Sequence, residues 1–78
     1  MNWDRAKGNW KQFRGSVRER WGKLTDDDLD VIAGQRDQLV GKIQERYGVA
    51  KDRAEDQLSA WEKERERKRE HEETPAVR

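Results

Sequence analysis

Apolar side chains recur at every third or fourth position in two separate stretches of the chain. That spacing places them along one face of an α-helix, whereas a half-buried β-strand would alternate apolar and polar residues. The first stretch contains Trp3, Ala6, Trp10, Phe13, Val17, Trp21 and Leu24, and the second contains Leu39, Val40, Ile43 and Tyr47. Both stretches therefore predict amphipathic helices, and the first predicts one continuous helix that ends near Trp21.

The two stretches belong to an internal repeat. A shift of 26 positions aligns residues 8–22 with residues 34–48, and six of these 15 pairs are identical. Further along, Ile32 falls on Leu58, so the match also reaches a second helix in each copy. Two copies are too few for a solenoid, which needs three or more repeats. The repeat therefore predicts a compact domain of two similar helical hairpins.

Residues typical of helix ends divide the chain at matching places. Gly22 and Gly48 stand where a left-handed C-terminal cap is expected, each after a basic residue and an aromatic one. Thr25 is a favourable N-cap, and the acidic residues 26–28 suit the positive end of a helix dipole. The short helix that follows should end near Gly34.

A fourth helix is predicted from around Lys51 or Asp52, with Ala54, Leu58 and Trp61 on its apolar face. Residues 62–73 contain no apolar side chain, so we expect them to add no core. Opposite charges three or four positions apart would each contribute about 0.2–0.5 kcal/mol to a helix. The expected pairs are Glu64/Lys68, Glu62/Arg65, Glu64/Arg67 and Glu66/Arg69. Such a helix would fray well before Pro75.

The predicted fold is all-α: a small four-helix domain of two similar αα-hairpins packed across each other, with a polar C-terminal extension. The domain should span residues 2–62, and residues 63–78 should form a charged helical extension or a disordered tail. Its expected core consists of Trp3, Trp10, Phe13, Val17, Trp21, Leu24, Leu29, Ile32, Leu39, Ile43, Tyr47, Leu58 and Trp61.

Composition narrows the classes of function. Charged residues make up 45% of the 78 residues and hydrophobic ones 31%, which limits the chain to one domain with a small core. Lys and Arg number 18 against 17 Asp and Glu, so global charge does not predict binding to DNA or an anionic membrane. The chain has no cysteine for disulfides, thiolate nucleophiles or Cys-ligated zinc. With neither a membrane-spanning apolar run nor an export signal after Met1, we expect an intracellular protein.

No group of residues predicts a catalytic, cofactor or metal site. Residues 26–28 and Asp30 are acidic, but a calcium loop also needs spaced ligands, a glycine turn and a distal glutamate. We therefore favour a first helical turn for them. The single histidine, His71, lies in the charged tail and is interpreted as solvated. The chain's hydroxyl groups cannot be paired with a base and an orienting acid, so we expect no enzyme activity.

Gly15 and Gly41 are less ordinary, because both lie in mid-helix, opposite the apolar face, at equivalent repeat positions. Each should destabilise its helix by roughly 0.5–1 kcal/mol relative to alanine. One interpretation is close backbone approach, between the hairpins or to a partner; the other is a marginally stable fold. With neighbouring cations they define a candidate interaction face. It consists of Gly8, Lys11, Arg14, Gly15, Arg18, Gly41 and Lys42.

That face could bind a nucleic acid or a protein. Arg14 and Arg18 could contact phosphates, and the tryptophans could stack on bases. The tryptophans, however, point towards the core, and Glu19 and the acidic residues 26–28 interrupt the positive charge. A solvated face of mixed charge is therefore favoured over a nucleic-acid site.

Two strings of residues resemble a known family. Trp-Gly-Lys-Leu-Thr-Asp-Asp at residues 21–27 and Gly-Lys-Ile-Gln-Glu-Arg-Tyr-Gly at residues 41–48 are similar to the CsbD-like family of bacterial general stress-response proteins. The resemblance extends to Trp61, and residues 62–78 depart from the family's usual short ending. It implies a small all-α bundle, a cytoplasmic location and induction under stress, and it supplies no catalytic residues.

Two hypotheses for the function follow. The first is a non-enzymatic stress protein that acts like a hydrophilin, because the chain has six glycines and a mean hydropathy of −1.48. The second is an interaction module that binds a nucleic acid or a protein through the candidate interaction face. We expect no small-molecule substrate.

Overall fold

The computed structural model describes the backbone of residues 2–73 and the side chains of residues 2–67. Within this range the chain forms five helices and no strand, which confirms the all-α fold class. The helices are α1 (Trp3–Gly8), α2 (Trp10–Arg20), α3 (Asp26–Ile32), α4 (Arg36–Tyr47) and α5 (Lys51–Glu73). Helix α4 packs against both α3 and α5, and α1 packs against α2.

The internal repeat is visible in the helices. Adding 26 to the bounds of α2 gives 36–46, which lies within α4, and adding 26 to those of α3 gives 52–58, which lies within α5. The first hairpin is therefore α2–α3 and the second is α4–α5. Because α4 contacts α3 as well as α5, it is the helix along which the two hairpins meet.

The first predicted helix is divided in two by a bend at Asn9. Asn9 has φ −121° and ψ 35°, outside the helical region, and its N–H donates to the Arg5 carbonyl at 3.0 Å. Gly8 and Asn9 are adjacent residues of low helix propensity, so a bend costs least there. The bend lets Trp3 pack against Trp61, with ring centroids 6.3 Å apart.

The predicted cap at Gly48 is confirmed, and the one at Gly22 is wrong. Gly48 has φ 63° and caps α4 in the left-handed conformation, whereas Gly22 is not in that region. Helix α2 ends earlier, at Arg20, and Trp21 follows with φ −120° and ψ 79°. The connection from α2 to α3 is longer than the one from α4 to α5, because the side chains of Trp21 and Leu24 must both turn inward, where they are buried.

The predicted ends of α3 and the predicted start of α5 are confirmed, whereas α5 continues to Glu73 and does not end well before Pro75. Thr25 caps α3, which ends at Ile32. Ala33 and Gly34 follow in left-handed conformations, with φ 46° and 82°. At Gly34 a side chain is excluded, since a Cβ would lie 2.5 Å from the Cα of Lys7. The turn between α3 and α4 therefore touches the backbone of α1.

The core runs through all five helices. The buried apolar residues are Ala6, Val17, Trp21, Leu24, Leu29, Ile32, Leu39, Val40, Ile43, Ala54, Leu58 and Trp61. Packed against them are the half-buried Trp3, Trp10, Phe13, Tyr47 and Val49. Every residue of the predicted core appears in one of these two groups. Val49 lies outside the predicted apolar faces, and Ala6, Val40 and Ala54 lie on those faces without having been predicted as core.

Helix α5 continues beyond Trp61, and its next turn adds no buried apolar residue but contacts the body of the domain through charged side chains. Glu62 accepts hydrogen bonds from the Trp3 indole N–H and from Arg36 Nε, the latter at 3.3 Å, instead of pairing with Arg65. The Arg65 guanidinium lies over the rings of Phe13 and Trp61, at 4.8 and 5.3 Å from their centroids.

Several residues for which the sequence made predictions lie in the part of the tail that the structure does not describe. The side chains of Lys68, Arg69 and His71 lie outside the described residues, as does Pro75. The division into a domain at 2–62 and an extension at 63–78 stays a prediction. Within residues 2–73, no helix has the length and apolar character needed to cross a membrane.

Candidate interaction face and the acidic helix

Helix α3 begins with a capping box formed by Thr25 and Asp28. The Asp28 backbone N–H donates to Thr25 Oγ1 at 3.1 Å, and the Thr25 N–H donates to Asp28 Oδ2 at 3.0 Å. These bonds satisfy backbone donors that a helix N-terminus leaves without intrahelical partners. The acidic run therefore forms a first helical turn, as the sequence indicated.

Asp28 is also a buried ion-pair partner of the second hairpin. Its side chain is 4% exposed, and Arg46 donates to both oxygens, from Nε to Oδ2 at 2.7 Å and from Nη2 to Oδ1 at 3.0 Å. Lys42 Nζ lies 3.5 Å from Oδ1. A bidentate guanidinium–carboxylate pair is stronger than a neutral hydrogen bond and fixes the geometry of both groups. The Asp28–Arg46 pair therefore joins the first turn of α3 to α4.

The same contacts set the charge state of this carboxyl group. The hydrogen bond from Arg46, followed by the one from the Thr25 backbone, holds the pKa of Asp28 far below its usual value, although burial acts in the opposite direction. The hydrogen bond to Asp28 in turn raises the pKa of Arg46. Both groups are therefore fully charged at neutral pH.

The outer side of α3 faces cations from α2. Arg14 Nη1 lies 3.0 Å from Asp30 Oδ1, and Arg18 Nη1 lies 2.6 Å from Asp26 Oδ1. The two carboxylates are 64% and 69% exposed, so each pair contributes about 0–1 kcal/mol. These pairs contribute little to stability, but they neutralise the positive charge of two arginines in the candidate interaction face.

The residues of the candidate interaction face are divided among three helices. Gly8 ends α1, Lys11, Arg14, Gly15 and Arg18 lie on α2, and Gly41 and Lys42 lie on α4. Three of its cations, Arg14, Arg18 and Lys42, pair with carboxylates of α3. Lys11 is exposed. The structure therefore directs most of the predicted positive charge towards the acidic helix.

The glycines of this face are exposed to open space. A Cβ placed on Gly8, Gly15 or Gly41 would have no neighbour within 4 Å beyond its own helix backbone and adjacent residues. The interpretation that the two hairpins approach each other closely at these glycines is therefore wrong. Approach of a partner and a marginally stable fold both remain as explanations of Gly15 and Gly41.

Two shallow open grooves cross the described surface. One, of about 290 Å³, lies between α2 and α5 and is lined by Ser16, Glu19, Arg20, Trp61, Glu64 and Arg65. The other, of about 390 Å³, lies between α4 and α5 and is lined by Asp37, Val40, Gly41, Gln44, Lys51 and Glu55. Each has charges of both signs on its walls. Among the described residues, no group of three or more His, Asp or Glu side chains could hold a metal ion.

The sequence carried a signal for part of the Asp28 site that our prediction did not use. Thr25 and Asp28 have the three-residue spacing of a capping box. The partners of the Asp28 carboxylate, Arg46 and Lys42, could not be predicted in this way. The sequence contains many cations and does not indicate which one reaches a given carboxylate. The same holds for the bonds that Glu62 makes to Trp3 and Arg36.

Comparison with known proteins identifies the family. A family model described as CsbD-like matches residues 4–56. YjbJ of Escherichia coli strain K12 is 68% identical over 62 residues, which cover 80% of this chain and 90% of YjbJ. UPF0337 protein RPA4217 of Rhodopseudomonas palustris is 66% identical over 61 residues, which cover 78% of this chain and 92% of that protein. The resemblance found in the sequence is thus confirmed, and the chain belongs to the CsbD-like family.

Proposed function

We propose that this protein is a non-enzymatic stress protein of the cytoplasm that protects other macromolecules through a hydrated, charge-dense surface, as hydrophilins do. One observation carries the proposal: among the described side chains, Val31 is the exposed large hydrophobic residue, at 53%. Docking surfaces for proteins or membranes usually present contiguous apolar patches. A surface of charged groups and glycines instead stays hydrated beside other macromolecules.

The balance of charge supports the same role. The formal net charge is +1, with 18 cationic and 17 anionic side chains. Such a surface has no strong field that would draw it onto nucleic acids or anionic lipids. Solutes that stay excluded from protein surfaces favour the compact state of their neighbours. Membership of the CsbD-like family, whose resemblance implies induction under stress, agrees with this role.

A second candidate, an interaction module, is favoured by the open space at Gly15 and Gly41, where a partner backbone could approach closely. Its nucleic-acid version is weakened by Arg14 and Arg18, whose pairs with Asp30 and Asp26 would have to exchange for phosphates. Titration of labelled DNA and RNA at low salt tests it. Affinity that falls steeply with added salt would support it, and no binding at low salt would reject it.

The protective role is tested by drying lactate dehydrogenase with an equal mass of this protein and measuring the activity recovered after rehydration. The comparison protein is a folded helical domain of similar size and balanced charge. We expect higher recovery with this protein, and equal recovery would reject the proposal.

A matched variant tests the contribution of surface charge. Replacing the exposed Lys11, Asp37, Lys63 and Glu64 with alanine removes two charges of each sign and leaves the net charge unchanged. Because alanine favours helix, the variant should remain folded, which circular dichroism checks. We expect its protection to be lower than that of the unaltered chain. Full protection by the variant would contradict a role for the charged surface.

A further inference from the structure

Helix α1 is attached to the domain by residues that lie far from it in sequence. The Trp3 indole N–H donates to Glu62, its ring packs on Trp61, and Glu62 is held in place by Arg36. Ala6, on the same helix, is fully buried. These contacts form a docking site that any copy of the chain could offer to an α1 helix.

The docking site also includes a close backbone contact. The Cα of Lys7 lies so near Gly34 that a Cβ there would be 2.5 Å away. Gly34 is held by the turn between α3 and α4, with φ 82°. The site is therefore built from the α3–α4 turn, the start of α4 and the middle of α5, and α1 itself contributes none of it.

The bend that joins α1 to α2 is held by backbone hydrogen bonds: the Asn9 N–H donates to the Arg5 carbonyl, and the Asn9 carbonyl accepts from the N–H groups of Gln12 and Phe13. Asn9 is the single residue between the two helices, and its side chain makes no capping hydrogen bond to α2. By contrast, Asn2 caps α1 and Thr25 caps α3 through their side chains. The apolar positions of α1 and α2 keep helical spacing straight through Gly8 and Asn9, so a continuous helix satisfies the same pattern.

We propose that the bend at Asn9 can straighten and that α1 then docks on a second copy of this chain, giving a domain-swapped dimer. In the dimer each Trp3 donates to Glu62 of the partner subunit, and the exchange is reciprocal, which closes a two-fold arrangement. The partner is therefore identified by the site itself, since the element that fits it is α1.

The position of the equilibrium follows from geometry. In the bent form α1 meets its own site at an effective concentration in the millimolar range for a short link, so a dilute chain stays monomeric. A continuous helix over residues 3–20 is about 27 Å long and carries α1 away from its own site. The effective concentration within one chain then falls towards zero, and only another copy can fill the site.

The test is a variant that favours the straight helix, G8A/N9A. Alanine at position 8 has open space, and Asn9 is exposed, so neither change removes a packing contact. Light scattering after size-exclusion chromatography measures the dimer dissociation constant. We expect it to be at least about tenfold lower than that of the unaltered chain, up to the millimolar range. A G8A/N9A chain that stays monomeric over that range overturns the proposal.

A matched control, G15A/G41A, makes the same kind of change away from the bend. It raises helix propensity at two exposed positions and should leave the dissociation constant unchanged. If this control dimerises as strongly as G8A/N9A, the bend is not the cause and the proposal fails.

A third variant tests the docking site. Adding Trp3→Ala to G8A/N9A should restore the monomer, because the exchanged helix loses its main contact; a dimer that persists uses another surface and overturns the proposal. Where circular dichroism shows that this chain is unfolded, Trp3→Phe replaces it, since phenylalanine keeps an aromatic ring and lacks the indole N–H. Its dimer should be weaker than that of G8A/N9A, and an unchanged dissociation constant also overturns the proposal.

Discussion

The two copies of the repeat share two fully buried apolar positions. In the first, α2 contributes Val17 and α3 contributes Ile32; in the second, α4 contributes Ile43 and α5 contributes Leu58, and all four are fully buried. Val17 and Ile43 are related by the shift of 26 positions, and so are Ile32 and Leu58. The apolar positions therefore explain why both copies form hairpins, but not why they combine in one arrangement.

Among the positions that are buried in both copies, one differs in polarity: it is Asp28 in the first copy and Ala54 in the second. Asp28 binds Arg46 of the other copy. Arg20, the repeat equivalent of Arg46, forms no ion pair with a carboxylate among the described side chains, and its guanidinium lies 5.9 Å from the ring centroid of Trp21. The ion pair therefore runs in one direction only. A single buried polar contact of this kind can favour one packing arrangement over the alternative in which the two copies exchange places.

The largest expected effect comes from making the copies alike with Asp28→Ala. This change removes the charged acceptor of Arg46 and the bond from the Thr25 N–H, whereas the Asp28 N–H can still donate to Thr25 Oγ1. Arg46 is 41% exposed and regains water, so we expect the free energy of unfolding to fall by about 2–3 kcal/mol, the loss of hydrogen bonds to a charged group. Urea unfolding followed by tryptophan fluorescence measures it.

Asp28→Asn is the matched control, because asparagine keeps the size of the side chain and an oxygen acceptor without the charge. Its loss should be clearly smaller than that of Asp28→Ala. Equal losses would mean that the hydrogen bonds made by Asp28 contribute little beyond its charge. A loss below about 0.5 kcal/mol in both variants, the range of ordinary surface changes, would remove Asp28 as the basis of the comparison.

The second prediction concerns pH. The pKa of Asp28 is lowered in the folded state, whereas in the unfolded chain it should be about 3.9. Its contribution to stability is therefore fully present above the unfolded pKa and is lost as the pH falls through the folded one. Urea unfolding of the unaltered chain and of Asp28→Asn should differ most at pH 7 and progressively less below about pH 5. A difference that is the same at pH 7 and pH 3 would contradict this.

How far the sequence could predict the molecule depends on the range of each interaction. Apolar spacing identified α2, α4 and the start of α5, because burial of one helix face is a local pattern. The bend at Asn9 was missed because a straight and a bent helix satisfy the same spacing, and the contact of Trp3 with Glu62 decides between them. The partner of Asp28 was missed for the same reason, since Arg46 is 18 positions away.

A smaller effect separates the two glycines that follow α2 and α4. Gly48 has φ 63°, so Gly48→Ala should destabilise the protein by about 1–2 kcal/mol, the cost of a left-handed residue with a side chain. Gly22 is outside that region, and a Cβ there would lie 3.9 Å from the Arg18 carbonyl, an ordinary contact. Gly22→Ala should therefore be close to neutral. Thermal unfolding of both variants tests the contrast, and equal losses would mean that the copies end their helices alike.

The smallest effect sharpens the comparison on the outer faces, where the copies should be equivalent. Gly15 and Gly41 both have open space around the position of a Cβ. Because glycine is the poorer helix former, Gly15→Ala and Gly41→Ala should each raise the free energy of unfolding by about 0.5–1 kcal/mol, and the two gains should add. Urea unfolding of the purified single and double variants measures this. A loss in either copy would contradict the prediction and would reject a marginally stable fold as the explanation of that glycine.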